Sequence, residues 1–225
     1  MVTSLRGLGY SLETAIADLV DNSIEAGATK IDVQWRQGNE LGPANWVRIV
    51  DNGESMTGAR ATEAFRYGSD IDKSARGPKL SAFGFGLKTA STSQCKKVHI
   101  AAKQQTGKGA RTSIRLLDID YIQEHDEWTV LEPTKGEAPG TLLEPLTDMK
   151  QGTVVLWQNL DTILSYTDPF TKRNRDAIRK SFNEVADYLG MAFHRFISGT
   201  TRVPTKKIVI RMNSRACLPG VRGPT

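Results

Sequence analysis

The clearest pattern of hydrophobic and polar positions lies at residues 11–26. Apolar side chains recur there at helical spacing, at Leu12, Ala15, Ile16, Leu19 and Val20. Ser11 is a residue type that caps helix N-termini, and Gly27 is the type that most often follows a helix C-terminus. The pattern therefore predicts an amphipathic helix that buries one broad face.

Three polar side chains follow one line along this predicted helix. Asp18, Asn22 and Glu25 are separated by four and three residues, so they lie above one another beside the apolar face. Because this line runs along the margin of the buried face, we expect these side chains at the edge of a cleft.

The rest of the chain alternates between strand-like and helix-like patterns. Strands are predicted at 31–35, 46–50, 96–102, 111–117, 128–132, 153–158 and 206–212, and helices at 58–66, 86–94 and 172–197. Residues 68–82 are polar, lack periodicity and contain glycine and proline. Such a long loop is typical of a functional lid.

Composition indicates an ordinary soluble domain of 225 residues, with 39% hydrophobic and 24% charged residues. No apolar run approaches the roughly 20 residues of a membrane span, and the N-terminus lacks the pattern of a signal peptide. The two cysteines, Cys95 and Cys217, are far apart and lack metal-ligand spacing. We therefore expect a cytoplasmic protein without a membrane partner.

The net charge of +5 favours a nucleic-acid partner only slightly. Basic residues recur near the C-terminus, at Arg202, Lys206, Lys207, Arg211, Arg215 and Arg222. This stretch could contact DNA, although a solvated polar strand face is the preferred interpretation.

The pair Asp18 and Asn22 could support phosphate chemistry. The amide oxygen of Asn22 is a ligand type that suits Mg²⁺. Asp18, one helical turn earlier, could orient a water molecule that attacks a phosphate, or accept its proton. By itself the pair is more often two solvated helix residues.

A second candidate follows the strand at 46–50. Asp51 at a strand end can accept a hydrogen bond from the exocyclic amine of a base. Gly53 would let a flat ring approach the backbone. An ordinary Asp-Asn-Gly turn is the alternative interpretation.

A third candidate is the segment Gly84-Phe85-Gly86 before the predicted helix at 86–94. Backbone N–H groups at such a helix start suit a phosphate, and Lys88 could add a charge contact. A flexible loop entering a helix is the alternative. The spacing is neither a dinucleotide-binding fingerprint nor a P-loop.

Taken in order, these motifs resemble the GHKL ATPases, which include gyrase, heat-shock chaperones, histidine kinases and MutL. The segments 18–33 and 47–56 are most similar to MutL and MORC proteins, and 83–91 to chaperone and MORC versions. Gly152-Thr153 matches the late Gly-Thr of the family beside the adenine pocket. The resemblance covers about residues 8–160.

The resemblance implies a Bergerat fold of the α+β class. This is a two-layer α/β sandwich with a mixed, mostly antiparallel sheet and helices on one face. The ATP-binding domain would span 1–165, with its lid at 68–82. Residues 166–225, with a boundary near Pro169, would be a helix-strand extension that starts a second, transducer-like domain.

The resemblance also implies the roles of individual residues. Asp18 would be catalytic, Asn22 would bind Mg²⁺, and Asp51 would read adenine. The other ATP-binding positions would be Gly53, Met56, Gly84, Phe85, Gly86, Leu87, Lys88 and Thr153.

Two departures from the family pattern affect these expectations. The family usually has Glu where this chain has Asp18, and a side chain one methylene shorter withdraws the carboxylate by about 1.5 Å. Ser55 occupies the second glycine position of the Asp-x-Gly-x-Gly pattern, so the backbone of this turn could differ.

We therefore expect an Mg²⁺-dependent ATPase that binds ATP and ADP and dimerises in response to ATP, with DNA as a further partner. One alternative is an ATP-binding switch with slow or no hydrolysis. Another is a chaperone-like ATPase that remodels proteins.

Overall fold

The computed structural model describes residues 10–37, 45–66, 83–107, 109–162, 171–200 and 206–220, without the side chains of 83–86. The first helix, α1, spans Leu12–Glu25. Its N-cap is Ser11, whose Oγ accepts a hydrogen bond from the backbone N–H of Thr14 at 3.3 Å. At the other end Gly27 has a φ of +74°. The N–H of Ala28 reaches the Ser23 carbonyl at 3.0 Å, which closes a Schellman motif and confirms the predicted helix end.

Within the described residues, seven strands form one sheet in the order β4-β3-β5-β2-β1-β6-β7. The strands are β1 (Lys30–Arg36), β2 (Trp46–Asp51), β3 (Lys97–Thr106), β4 (Gly109–Asp118), β5 (Gly152–Gln158), β6 (Val209–Met212) and β7 (Arg215–Ala216). β1 and β6 are parallel, and the other neighbouring strands are antiparallel. The mixed sheet with its helices confirms the predicted α+β class and the Bergerat-type sandwich.

The helices that follow α1 in the described residues differ greatly in length. They are α2 (Gly58–Phe65), α3 (Phe83–Gln94), α4 (Ile119–His125), α5 (Gly140–Leu143), α6 (Lys172–Ala192) and α7 (His194–Ser198), with a 3₁₀ turn at Glu144–Leu146. None of them combines the length and the apolar character that crossing a bilayer requires.

The core lies mainly between the sheet and the helices on one of its faces. α1, α3 and α6 contribute buried side chains to this cluster, including Ile16, Leu87 and Phe182. A smaller cluster on the other face packs Val50 and Val154 against Leu142 and Leu146 of the short helical turns. The long helices therefore share one face, and the second face carries only short turns.

Several predicted boundaries differ from the structure. The predicted helix at 172–197 is two helices, because the backbone of Phe193 leaves helical geometry while its side chain stays buried. Apolar residues keep their helical spacing across this break, so the sequence pattern does not reveal it. The predicted strand at 128–132 is wrong, since only Leu131 pairs there, in a single bridge to Leu116.

The segment assigned to a separate extension shares the sheet and the core of the first part. β6 pairs with β1, and Ile178 and Phe182 of α6 lie in the main cluster. The division into domains at residue 166 stays a prediction. The predicted boundary at Pro169 and the predicted lid at 68–82 lie outside the described residues.

Candidate nucleotide-binding site

Asp51 ends β2 inside the protein, next to the C-terminal end of α1 and the first residues of β5. Only 7% of the residue is exposed. The hydroxyl of Ser23 donates to its Oδ2 at 3.1 Å, and the N–H of Gly53 donates to its Oδ1 at 2.8 Å. The backbone N–H of Thr153, which pairs with Asp51 in the sheet, also favours the ionised carboxylate. The fold thus brings Asp51, Gly53 and Thr153 together, as the sequence predicts.

The charge state of Asp51 is shifted by its surroundings. Burial raises the pKa of this carboxyl to about 6, although the bonds from Gly53, Ser23 and Thr153 act in the opposite direction. At neutral pH the group is therefore mostly ionised. A carboxylate offers about four lone-pair positions, so the two hydrogen bonds from Ser23 and Gly53 leave capacity for a further donor. A ligand amine is the donor that this site can accept.

The turn after Asp51 lies tightly against the end of α1. A Cβ on Gly53 would come within 2.8 Å of the carbonyl oxygen of Ala26. The same carbonyl accepts a hydrogen bond from the N–H of Glu54 at 2.8 Å. Asn52 secures the turn from the other side, because its Oδ1 accepts the N–H groups of Thr29 and Lys30, each at 2.9 Å. A side chain at position 53 would push the turn away from α1.

The start of β5 lies equally close to Asp51. Gly152 has a φ of +151°, and a Cβ there would overlap the carbonyl oxygen of Asp51. The hydroxyl of Ser55 donates to the Gly152 carbonyl at 2.9 Å. Ser55 and Thr153 are buried, and Met56 is half-buried. Glycine at 152 is therefore required by both the backbone conformation and the lack of space.

The line of polar residues on α1 lies at the margin of the buried face, as predicted. Asp18 and Asn22 are half-buried. The Asn22 Nδ2 atom is buried and has no hydrogen-bond partner among the described residues. Burial raises the pKa of Asp18, while a hydrogen bond from Tyr10 lowers it and the charge of Asp21 raises it. Both side chains are thus partly withdrawn from water on one side of α1.

The third predicted motif lies inside a helix rather than before it. α3 begins at Phe83, so Gly84, Phe85 and Gly86 belong to its first turn, and the predicted start at 86 is three residues late. Glycine disfavours helix interiors, which is why the pattern suggested a later start. In a first turn the N–H groups have no intrahelical partner, so they remain available to an anion.

Lys88 has a different environment from the one expected of a phosphate contact. It is 2% exposed, and its Nζ donates to the Arg66 carbonyl at 2.6 Å. The same Nζ lies 5.9 Å from the centre of the Trp128 ring. Burial lowers the pKa of this amine. The predicted contact of Lys88 with a phosphate stays a prediction, and the neighbouring Leu87 is a buried core residue.

A metal ion would find few protein ligands in this region. Across the described residues no group of three or more His, Cys, Asp or Glu side chains could hold one. The amide oxygen of the half-buried Asn22 is nevertheless a ligand type that suits a Mg²⁺ ion that keeps several waters and takes its remaining ligands from phosphates.

Sequence reasoning missed Ser23, which holds the Asp51 carboxylate from α1. A usable signal existed, because Ser23 continues the apolar spacing of Ile16, Leu19 and Val20 and is itself buried. A polar residue at such a position needs a hydrogen-bond partner, and Asp51 is one. Tyr10 was missed as well, because it precedes the helix and has no spacing relation to Asp18.

Comparisons with known proteins agree with this geometry. A family model described as histidine kinase-, DNA gyrase B- and HSP90-like ATPase matches residues 10–153. The ATPases MORC2A of Mus musculus and MORC2 of Homo sapiens are each 29% identical over 77 residues. These matches cover 34% of this chain and 8% of each relative.

Proposed function

Because the chain belongs to the family of histidine kinase-, DNA gyrase B- and HSP90-like ATPases, we propose that it binds ATP with the adenine amine on Asp51. The observation that carries this proposal is the buried carboxylate that two protein donors hold and that keeps capacity for a further donor. The absence of side chains at Gly53 and Gly152 lets the turn pack against α1 and the start of β5 pack against Asp51, which holds the carboxylate in place. A flat base with an exocyclic amine fits such a site.

The phosphates would lie toward α3 and the line of polar residues on α1. N–H groups of the first turn of α3, at Gly84, Phe85 and Gly86, would hold them. Mg²⁺ would be held by the Asn22 oxygen and would neutralise phosphate charge when bound. Asn22 is half-buried and lies one helical turn after Asp18 at the margin of the buried face of α1, which supports this role.

We propose that Asp18 orients the water that attacks the terminal phosphate, or accepts its proton, so that the products are ADP and phosphate. Asp18 lies one helical turn before Asn22 and is half-buried. Burial raises its pKa, and a stronger base takes a proton more readily. The side chain is one methylene shorter than the usual Glu, so we expect slow hydrolysis.

A specific observation favours a second function, an ATP-binding switch without useful turnover. The short side chain of Asp18 is already hydrogen-bonded to Tyr10. The amine of Lys88 is already bonded to the Arg66 carbonyl. Both groups would then need another domain or partner to reach the phosphate.

We also propose, in less detail, that the protein forms a homodimer and acts on DNA, with a protein client as the alternative. The chain is similar to the ATPases MORC2 and MORC2A, but the match spans only 8% of each. What those whole proteins do therefore enters here only as a proposal. Lys206, Lys207 and Arg211 are exposed, which supports DNA more than a protein client. Formation of a homodimer on ATP binding would be the conformational change that the nucleotide drives.

Single-turnover hydrolysis of Mg-ATP tests both functions. Bound nucleotide and released phosphate are read together for the wild type, Asp18→Ala, Asp18→Glu and Asp51→Asn. We expect Asp18→Ala to bind ATP and to lose about 10²–10⁴-fold in rate, the usual contribution of a general base. Asp51→Asn should lose binding by about 10- to 100-fold, because a bond to a charged group is removed.

The outcomes separate the alternatives. Bound but uncleaved ATP in the wild type, with turnover restored in Asp18→Glu, would support the switch. ATP binding that is unchanged in Asp51→Asn would contradict the proposed site. Asp126→Asn, which changes an exposed carboxylate outside the site, is the matched control.

A further inference from the structure

Ser55 departs from the family pattern, and its contacts link three parts of the chain. It is 6% exposed. Its hydroxyl donates to the carbonyl of Gly152 at 2.9 Å, and its own carbonyl accepts the Nε2 of Gln104 at 2.9 Å. The turn after β2 is thereby attached to the start of β5 and to β3.

Ser55 is connected to Asp51 through two neighbouring residues at the start of β5. Gly152, which accepts the bond from Ser55, packs against the backbone carbonyl of Asp51. It directly precedes Thr153, which pairs with Asp51 in the sheet and whose N–H favours the ionised carboxylate. Gln151 adds a weaker contact in the same place, from its Nε2 to the Gly53 carbonyl at 3.3 Å. The direction of the Thr153 N–H therefore depends on the position of the Gly152 carbonyl, which the Ser55 hydroxyl fixes.

A glycine at position 55 could follow the same backbone path but could not hold Gly152. The Gly152 carbonyl would lose this donor in a buried environment, which favours a shift of the strand start. Such a shift would turn the Asp51 carboxylate relative to the base. Adenine presents a 6-amino donor and guanine a 6-oxo acceptor, so an ionised carboxylate can bond to adenine at this position and not to guanine. The bond to adenine forms only when the carboxylate is correctly placed, so a displaced carboxylate weakens the binding of adenine nucleotides selectively.

We propose that Ser55 is a positioning residue that sets the preference of this site for adenine over guanine nucleotides. It acts through Gly152 and Thr153 on Asp51, without touching the base. This inference rests on the proposed function, because it deepens the role of Asp51 in reading the base.

Equilibrium titration with ADP and GDP tests the inference, since neither nucleotide requires turnover. The proteins are the wild type, Ser55→Ala, Ser55→Gly and Ser55→Thr. We expect Ser55→Ala and Ser55→Gly to bind ADP about tenfold more weakly and to keep their GDP affinity. The ADP-to-GDP ratio then falls about tenfold, and Ser55→Thr, which retains the hydroxyl, restores it.

Two further variants separate positioning from a general loss of stability. Ser93→Ala removes another buried hydroxyl that donates to a backbone carbonyl, that of Ala90 at 2.7 Å. It should leave the ratio unchanged. Gln104→Met removes the second contact of Ser55 from a half-buried position, so it should lower the ratio in the same direction even if the Ser55 variants fold poorly.

Each outcome has a distinct meaning. An unchanged ratio in Ser55→Ala, or equal losses for ADP and GDP, would overturn the inference while leaving nucleotide binding intact. A wild type that binds neither nucleotide would overturn the proposed function together with the inference. A lowered ratio in Ser55→Ala and Gln104→Met, with Ser93→Ala unchanged, would establish it.

Discussion

The two ends of the candidate site differ in how completely the protein satisfies their polar groups. At the base end, the carboxylate of Asp51 receives hydrogen bonds from the Ser23 hydroxyl and the Gly53 N–H. At the phosphate end, the Nδ2 of Asn22 has no partner in the described part of the chain. The amine of Lys88 is bonded to the carbonyl of Arg66.

This difference indicates how the two ends would work. The hydrogen bonds from Ser23 and Gly53 hold the Asp51 carboxylate in one orientation before any ligand arrives, which would lower the cost of binding a base. Unsatisfied groups reduce stability and are kept where a ligand completes them. In the proposed site, the base end would therefore be preorganised, and the phosphate end would depend on what binds there.

The largest expected effect concerns the backbone of the base end. Gly152→Ala should lower the free energy of unfolding by about 3 kcal/mol or more, because a side chain at this positive φ overlaps Asp51. Urea unfolding measures the change. Gly140→Ala is the matched control, since a Cβ there meets nothing within 4 Å.

The phosphate end should respond in the opposite way. Asn22→Ala should change the free energy of unfolding by less than about 0.5 kcal/mol or raise it, since alanine is the better helix former and the lost Nδ2 was unpartnered. Equal destabilisation by Gly152→Ala and Asn22→Ala would remove the contrast between the two ends.

The sequence predicted the base end better than the phosphate end for physical reasons. Asp51 and Gly53 follow an apolar run that ends at a turn, so local pattern places them correctly. Ser23 lies 28 positions before Asp51, and only the packing of α1 on β2 brings them together. The contact of Ser55 with Gly152 spans 97 positions, which no local pattern encodes.

At the phosphate end the local pattern was misleading as well as incomplete. The glycines at 84 and 86 suggested a turn, but they begin α3, because glycine lowers helix propensity without forbidding a first turn. Lys88 looked like a phosphate ligand from its neighbours in sequence. Its bond to the Arg66 carbonyl depends on the packing of α2 against α3.

An effect of about tenfold is expected from the titration of Asp51. Burial raises its pKa to about 6, so at pH 7.5 the group is a carboxylate, which in the proposed site would accept a hydrogen bond from the 6-amino group of ADP. At pH 5 it is mostly a carboxylic acid that can donate to the 6-oxo group of GDP. The ADP-to-GDP affinity ratio should therefore fall about tenfold between pH 7.5 and pH 5, measured by calorimetry.

The ADP-to-GDP affinity ratio is the useful quantity, because titration of the phosphate groups affects both nucleotides alike. Asp51→Asn cannot titrate, so its ratio should be flat with pH. The free energy of unfolding of the wild type, relative to that of Asp51→Asn, should also change with pH. The folded pKa lies above the unfolded value of 3.8, so the folded state binds more protons, and stability falls as pH rises from about 4 to 6. A wild-type ratio that does not vary with pH would show that Asp51 does not face the base.

The smallest expected effect on nucleotide binding concerns Lys88. Lys88→Met retains an unbranched apolar stem but removes the donor to the Arg66 carbonyl. If Lys88 serves to make this bond, the free energy of unfolding should fall by about 1–3 kcal/mol, because a hydrogen bond from a charged donor is lost. ADP and ATP affinity should change less than about threefold.

Thr92→Ala, which removes a buried hydroxyl bonded within α3, controls for helix stability. A loss of ATP affinity that spares ADP would instead mean that Lys88 leaves Arg66 for the terminal phosphate, and the phosphate end would then be a group that changes partners on binding.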